Sequence, residues 1–229
     1  MRRYARLLVF LAAVVTFASS AQTPLKIDGP VYVATYIEVL PNAVRDAVAI
    51  LRKYREAVGN QGRNVRAEVI QETGRPTRFV LLSVWADQNT LDAYVKKTSV
   101  VQPRDNFKAL LAAPFDERLH SGFAVAAREP LPPNAMTVAS HVDVPPPMRE
   151  TLEPMLRSLA EASRKESGNL RFEVHQQANR VNHFTVVEAW ADQKTYEAHI
   201  LATHTRHFRD ALGPMLGALY DERLYRALD

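Results

Sequence analysis

From Ser83 to Phe107 the chain reads SVWADQNTLDAYVKKTSVVQPRDNF, and from Glu188 to Leu212 it reads EAWADQKTYEAHILATHTRHFRDAL. The second phrase repeats the first at an offset of 105 residues. The same offset carries Asp116-Glu117-Arg118-Leu119 onto Asp221-Glu222-Arg223-Leu224 without a gap, and it aligns Val33 with Val138, Leu51 with Leu156, Arg66 with Arg171, Phe79 with Phe184 and Arg104 with Arg209. A chance match would not hold one offset at both ends of so long a segment. Two copies are too few for a solenoid, so the chain is a duplicated domain.

Working outward from the phrase, each copy has the same order of elements. VYVATYIEV and MTVASHVDV are rich in β-branched residues and read as strands. A helix follows, with Leu152, Met155, Leu156, Leu159 and Ser163 at helical spacing in the second copy. Gly168-Asn169 ends it, and Gly62-Arg63-Asn64 stands near the same place in the first copy. RAEVIQE then RFVLLSVW, and LRFEVHQQ then HFTVVEAW, read as paired strands, the second pair joined by the short turn Ala178-Asn179-Arg180. A second helical region opens at Asp87 or Asp192, each a fitting N-cap, and carries Phe208, Ala211, Leu212 and Met215 on one face. ALYDERLYRAL reads as a closing strand.

The order β-α-β-β-α-β is that of the ferredoxin-like unit. Its helices cover one face of the sheet, and the other face needs a partner. Two tandem copies provide one by covering each other as an internal pseudo-dimer. The predicted fold is therefore α+β, with a ferredoxin-like domain at residues 31–124, another at 135–228, and residues 125–134 as a stiff linker containing Pro130, Pro132 and Pro133.

With 229 residues, 47% hydrophobic and 24% charged, the chain can bury a core. The net charge is only +4 and no basic run is interleaved with aromatics, so a nucleic-acid partner is not expected. There is no Cys, hence no disulfide and no thiol nucleophile. Arg2, Arg3 and Arg6, an apolar stretch from Leu7 to Ala18, and Ser19-Ser20-Ala21 read as a signal peptide cleaved after Ala21. The stretch is shorter than the roughly 20 residues that span a bilayer. The expectation is a periplasmic or secreted protein with no stable membrane anchor after processing; an uncleaved anchor is the alternative.

Four residues of the second copy are candidates for chemistry. Trp190 ends a strand. Glu188, two residues earlier, shares its face and would be a partly buried carboxylate with a raised pKa if that face lies under the helices. His199 and His204 sit in the second helical region, His204 on the face of Phe208, Ala211 and Met215, and imidazole suits proton abstraction near neutrality. Each has an ordinary structural reading too: a core Trp, an ion-paired Glu, a hydrogen-bonded buried His.

His141, His175, His183, His199, His204 and His207 all fall in the second copy, where the first has Tyr36, Ile70, Arg78, Tyr94, Ser99 and Gln102. This predicts a division of labour in which the second copy keeps the working pocket and the first mainly covers its sheet. No HExxH and no clear facial triad is visible, so no metal site is expected. No Gly-rich phosphate loop or G-x-S-x-G is present.

The phrase Glu188-Ala189-Trp190-Ala191-Asp192-Gln193, followed by His199, Thr203-His204, Pro214-Met215 and Tyr220-Asp221-Glu222-Arg223-Leu224-Tyr225, resembles the antibiotic biosynthesis monooxygenase (ABM) family, which includes proteins assigned as quinol monooxygenases. The resemblance runs through residues 135–228. It holds in outline over 31–124, which keep Trp85, Asp87 and Asp116 to Leu119. It implies a dimeric α/β barrel, here within one chain, with the pocket between each sheet and its own helices. It also implies oxygenation of a small electron-rich phenol or quinol with molecular oxygen as co-substrate and no metal, flavin or haem. A deprotonated quinol can give one electron to O₂, and the radical pair then combines. The protein need only bind the ring, take a phenolic proton and stabilise the oxyanion. On this reading His199 or His204 is the base, Trp190 the pocket wall and N–H donor, and Glu188 a helper. Haem-degrading relatives of the fold use Asn, Trp and His; His199 and Arg209 stand where their Trp and His would fall, so that pattern is not met. The alternative is a non-catalytic module of the same fold that binds a small aromatic, a quinone or haem. Further pairing of whole chains is left open.

Overall fold

In a computed structural model the described residues are 25–60, 62, 65–126, 131–132 and 134–228. The expected signal peptide lies outside them, as do Arg63, Asn64 and residues 127–130 and 133 of the linker region. The first copy runs β1 (Val31–Glu38), α1 (Val44–Gly59), β2 (Arg66–Glu72), β3 (Arg78–Trp85), α2 (Gln88–Val95), α3 (Thr98–Phe107) and β4 (Asp116–Ala124). The second runs β5 (Met136–Asp143), α4 (Arg149–Ser163), β6 (Asn169–Gln177), β7 (His183–Trp190), α5 (Gln193–Leu201), α6 (Thr203–Leu212) and β8 (Asp221–Ala227).

The repeated Asp is the cap the sequence implied. Asp87 accepts from the Thr90 N–H at 2.7 Å, and Asp192 from the Thr195 N–H at 2.8 Å. Thr195 answers with its hydroxyl on the Asp192 N–H, completing a capping box. The second helical region, expected as one element, is two helices in each copy. Lys97 and Ala202 are extended, with ψ of 133° and 143°, and Thr98 and Thr203, poor in helix interiors, restart the chain as first residues.

The eight strands close into one antiparallel barrel in the order β1-β3-β2-β8-β5-β7-β6-β4. Within each copy the order is that of a ferredoxin-like sheet, whose open edges would offer unpaired N–H and C=O groups. The duplication pairs those edges. β2 meets β8 at Ile70–Ala227 through Glu72–Tyr225, and β4 meets β6 from His120–Gln177 onward. The strand tails also exchange cores. Leu228 donates its N–H to the Val69 carbonyl at 2.8 Å and packs into the first copy's core with Leu51, Phe79 and Phe107. Phe123, its counterpart, packs on the second copy's core. A bidentate ion pair from Arg171 to Glu68, at 2.7 and 2.8 Å, adds a polar tie between the copies.

Strand alternation divides the side chains between two faces. In the second copy Val138, Val142, Phe172, Val174, Phe184, Val186 and Trp190 meet Leu152, Leu156, Leu159, Phe208 and Leu212 of the helices. The barrel interior combines Ala34, Ile70, Val80, Leu82, Ala139, Val187 and Tyr225 with polar groups. There His120 approaches Thr185 Oγ1 at 3.0 Å and lies near His175, with ring centroids 6.2 Å apart. The six histidines of the second copy therefore do not form one site. His141 and His175 belong to a barrel interior shared with His120 and Tyr36 of the first copy, and His183 pairs with Asp143 at 2.7 Å.

Candidate active site

β7 turns Glu188 and Trp190 toward the helices, and α5 and α6 bring His199 and His204 above them. All four sequence candidates thus fall in one neighbourhood. Trp190 is fully buried, and the His199 ring stacks on it at 4.6 Å between centroids with an interplanar angle of 28°. The indole N–H donates to Glu188 Oε2 at 2.9 Å. In the first copy Trp85 donates in the same way to Ser83 Oγ at 3.0 Å. The tryptophan N–H expected to meet a substrate oxyanion is therefore engaged within the strand in both copies, and the indole packs the helices on the sheet.

A residue that the sequence reading missed connects the rest. Glu166, in the turn after α4, places Oε1 2.6 Å from His199 Nδ1 and 2.8 Å from His204 Nε2. Thr205 Oγ1 lies 3.2 Å from the same His199 nitrogen. On the far side of the ring His199 Nε2 is 3.6 Å from Glu188 Oε2, longer than a hydrogen bond. The result is a chain of titratable groups from the surface-side His204 inward through Glu166 and His199 to Glu188. Glu166 has no periodic or motif signal. The one available clue was that its counterpart is Gln61, a change that accompanies His199 to Tyr94 and His204 to Ser99.

Burial sets the protonation states. Desolvation pushes the Glu188 carboxyl up to about 8, against the pull of the Trp190 hydrogen bond, so it is largely neutral at pH 7. Burial holds His199 below the usual histidine value, although the Glu166 carboxylate draws it upward. Arg209 donates to Glu222 at 2.7 Å, as Arg104 does to Glu117 at 2.9 Å in the first copy, and Tyr196 also donates to Glu222. These pairs fix α3 and α6 to β4 and β8.

Each copy has a concavity, and the two differ. In the first a cavity of about 330 Å³ lies between the sheet and α1 and α3, lined by Ile37, Tyr54, Leu81, Tyr94, Phe107 and Phe115 among others. Pro103 borders it; the counterpart Phe208 belongs to the second copy's core and borders that copy's own groove. The second copy's concavity is a groove, also about 330 Å³, between α4 and α6, bordered by Met155, Leu159, His204, His207, Phe208 and Ala211. The space between sheet and helices, assigned to the second copy by the division of labour, is thus open in the first. The second copy keeps the polar chain and an apolar groove that reaches it at His204.

An eight-stranded antiparallel barrel made from two βαββαβ repeats, helices outside, defines the class as an internally duplicated α/β barrel. The family model described as antibiotic biosynthesis monooxygenase matches residues 30–109 and again 135–212, and the chain belongs to that family. A Fusobacterium nucleatum protein provisionally assigned as a monooxygenase superposes with a TM-score of 0.79 at 13% identity, covering 89% of this chain and 94% of that one. A Lactobacillus acidophilus protein with the same provisional assignment gives 0.72 at 10% identity, covering 88% and 95%. An anthrone oxidase-like protein gives 0.66 at 8% identity, covering 89% and 93%. At these identities the likeness establishes the shared barrel. No curated protein matches the chain.

Proposed function

We propose that this ABM protein oxygenates a small quinol or phenol with O₂ and no metal, flavin or haem, that the ring lies in the α4–α6 groove, and that His204 takes the phenolic proton. The observation that carries this reading is the single Glu166 oxygen holding His199 and His204 at the border of an apolar groove. With Glu166 accepting the Nε2–H, the neutral His204 tautomer has its lone pair on Nδ1, the orientation a carboxylate imposes on a general base. Met155, Leu159 and Phe208 supply the apolar surface for the ring. The chemistry balances. A quinol and O₂ give a ring hydroperoxide; its O–O bond breaks, one oxygen stays as a carbonyl, the other leaves as water, and the product is a hydroxyquinone. The substrate supplies all four electrons. We further propose that the mature protein acts outside the cytoplasm after loss of residues 1–21.

Incubation with hydroquinones under ¹⁸O₂ tests the activity. One labelled oxygen in the product, formed faster than in protein-free solution, supports it; an unlabelled product or no acceleration rejects it.

A second reading has its own observation. The first-copy cavity is apolar and aromatic, and burial holds Tyr54 and Tyr94, which line it, above the usual tyrosine range, so neither is a base at neutral pH. This favours binding of a small aromatic or quinone there without turnover. Tyr94 lies 4.8 Å from Trp85, so such a ligand should quench the Trp85 emission. Saturable quenching with no labelled product would favour this reading over the first.

A further inference from the structure

Glu166, His199 and His204 come from three places in the chain: the turn after α4, α5, and the start of α6. One carboxylate oxygen, His199 Nδ1 and His204 Nε2 all lie within 4.8 Å of one another. The contacts of 2.6 and 2.8 Å aim both ring nitrogens at the same oxygen. Two imidazoles and a carboxylate converging on one point form a donor set suited to a borderline divalent transition metal such as zinc. We propose that Glu166, His199 and His204 bind a divalent transition-metal ion, and that the ion takes the place of the protons shared in this network and so disables the base.

Three features of the site support it. The His199 ring is held in place by stacking on Trp190 at 4.6 Å, with its other nitrogen 3.6 Å from Glu188 Oε2. The Glu166 and His204 side chains keep 18% and 30% of their exposure, so an ion has a way in and water can complete its coordination. Metal bonds of about 2.0–2.2 Å separate tetrahedral donors by roughly 3.3 Å, so each of the two contacts to Glu166 needs to lengthen by only about half an ångström. That adjustment falls on Glu166, in a turn.

The copies point the same way. Trp85, Asp87, Arg104 and Glu117 repeat the scaffold of Trp190, Asp192, Arg209 and Glu222. Glu166, His199, His204 and Glu188 are replaced together by Gln61, Tyr94, Ser99 and Ser83.

Binding stands on the trio alone; its inhibitory consequence rests on the base role proposed above. The test uses the purified, tag-free protein stripped with chelator and titrated calorimetrically with Zn²⁺, and with Co²⁺ to read coordination from its visible spectrum. The expected result is one ion per chain, with release of protons. Glu166→Gln and His204→Ala each remove a ligand and should weaken binding by at least the roughly 10–100-fold that loss of an outer partner costs a metal site. His183→Ala, which removes a histidine–carboxylate pair elsewhere, should leave it unchanged. Absence of stoichiometric binding, or binding equal in the parent and in both trio variants, overturns the proposal. Added Zn²⁺ should suppress quinol oxygenation by the parent; stimulation would overturn the inhibitory role. If the metal-free parent shows no oxygenation, the oxygenase reading fails and the titration still decides the metal site.

Discussion

Replacing Glu188 by Gln should change how stability depends on pH more than it changes stability itself. The carboxyl is buried beneath the helices and holds its proton up to about 8, whereas in the unfolded chain it ionises near the ordinary value of 4.5. Between those values the folded state binds more protons than the unfolded state, so the parent loses stability as pH rises through that window and reaches a plateau above it. One pH unit within the window corresponds to about 1.4 kcal/mol, and from pH 5 to pH 7.5 the loss is about 3 kcal/mol. Gln keeps the shape, and its carbonyl can still accept from the Trp190 indole, but it does not titrate. The gap between variant and parent should therefore move toward the variant by about 3 kcal/mol over that range. With a urea slope of about 2–3 kcal/mol/M, the midpoints should shift relative to each other by about 1 M. Urea unfolding followed by circular dichroism at the two pH values measures this directly, and other titrating groups cancel between the two proteins. A gap of the same size at both pH values would refute the assignment of Glu188 as a carboxyl held neutral by burial.

Three other outcomes follow from the structure. Burial lowers His120 to about 3 and His141 to about 4, so as pH falls below 6.5 the unfolded chain gains protons that the folded one does not; at pH 5 each should cost about 2 kcal/mol. Urea midpoints should fall between pH 7 and pH 5 in the Glu188→Gln background, and His120→Gln in that background should recover about 2 kcal/mol of the fall. Gly168 has φ of +81°, and a Cβ there would stand 2.4 Å from Thr195 Cγ2; Gly168→Ala should cost about 2–4 kcal/mol in thermal unfolding. Gly59, at the end of α1 with open space around it, should accept Ala with a gain of up to about 1 kcal/mol.

The fold was legible because its signals are local and occur twice. Period-two strands, a capping Asp in each copy and a constant offset point to one arrangement, and closure of the barrel follows from two sheets that each lack a cover. The site was legible only where a candidate lies on a regular element: Glu188 and Trp190 share a strand face by alternation, and His204 shares a helix face with Phe208 and Ala211. Glu166 lies in a turn, 33 residues from His199 in the chain, and no periodicity links them. The openness of each copy was equally hidden. It depends on side-chain volumes at lining positions such as Pro103 and its counterpart Phe208, which patterning does not report. The histidine count per copy does not report which histidines share a site, since barrel closure places His141 and His175 in an interior shared with the first copy.

In the proposed reaction, proton abstraction occurs in the second copy, at the His204 end of the buried chain. The direct measurement is initial oxygen uptake by the chelator-treated protein with a panel of hydroquinones, comparing the parent with His204→Ala and, as a first-copy control, Tyr94→Phe. Expected are uptake above autoxidation in the parent, a fall of about 10²-fold or more in His204→Ala, and near-parental rates in Tyr94→Phe. No uptake by the parent, or a loss in Tyr94→Phe as large as that in His204→Ala, would contradict it.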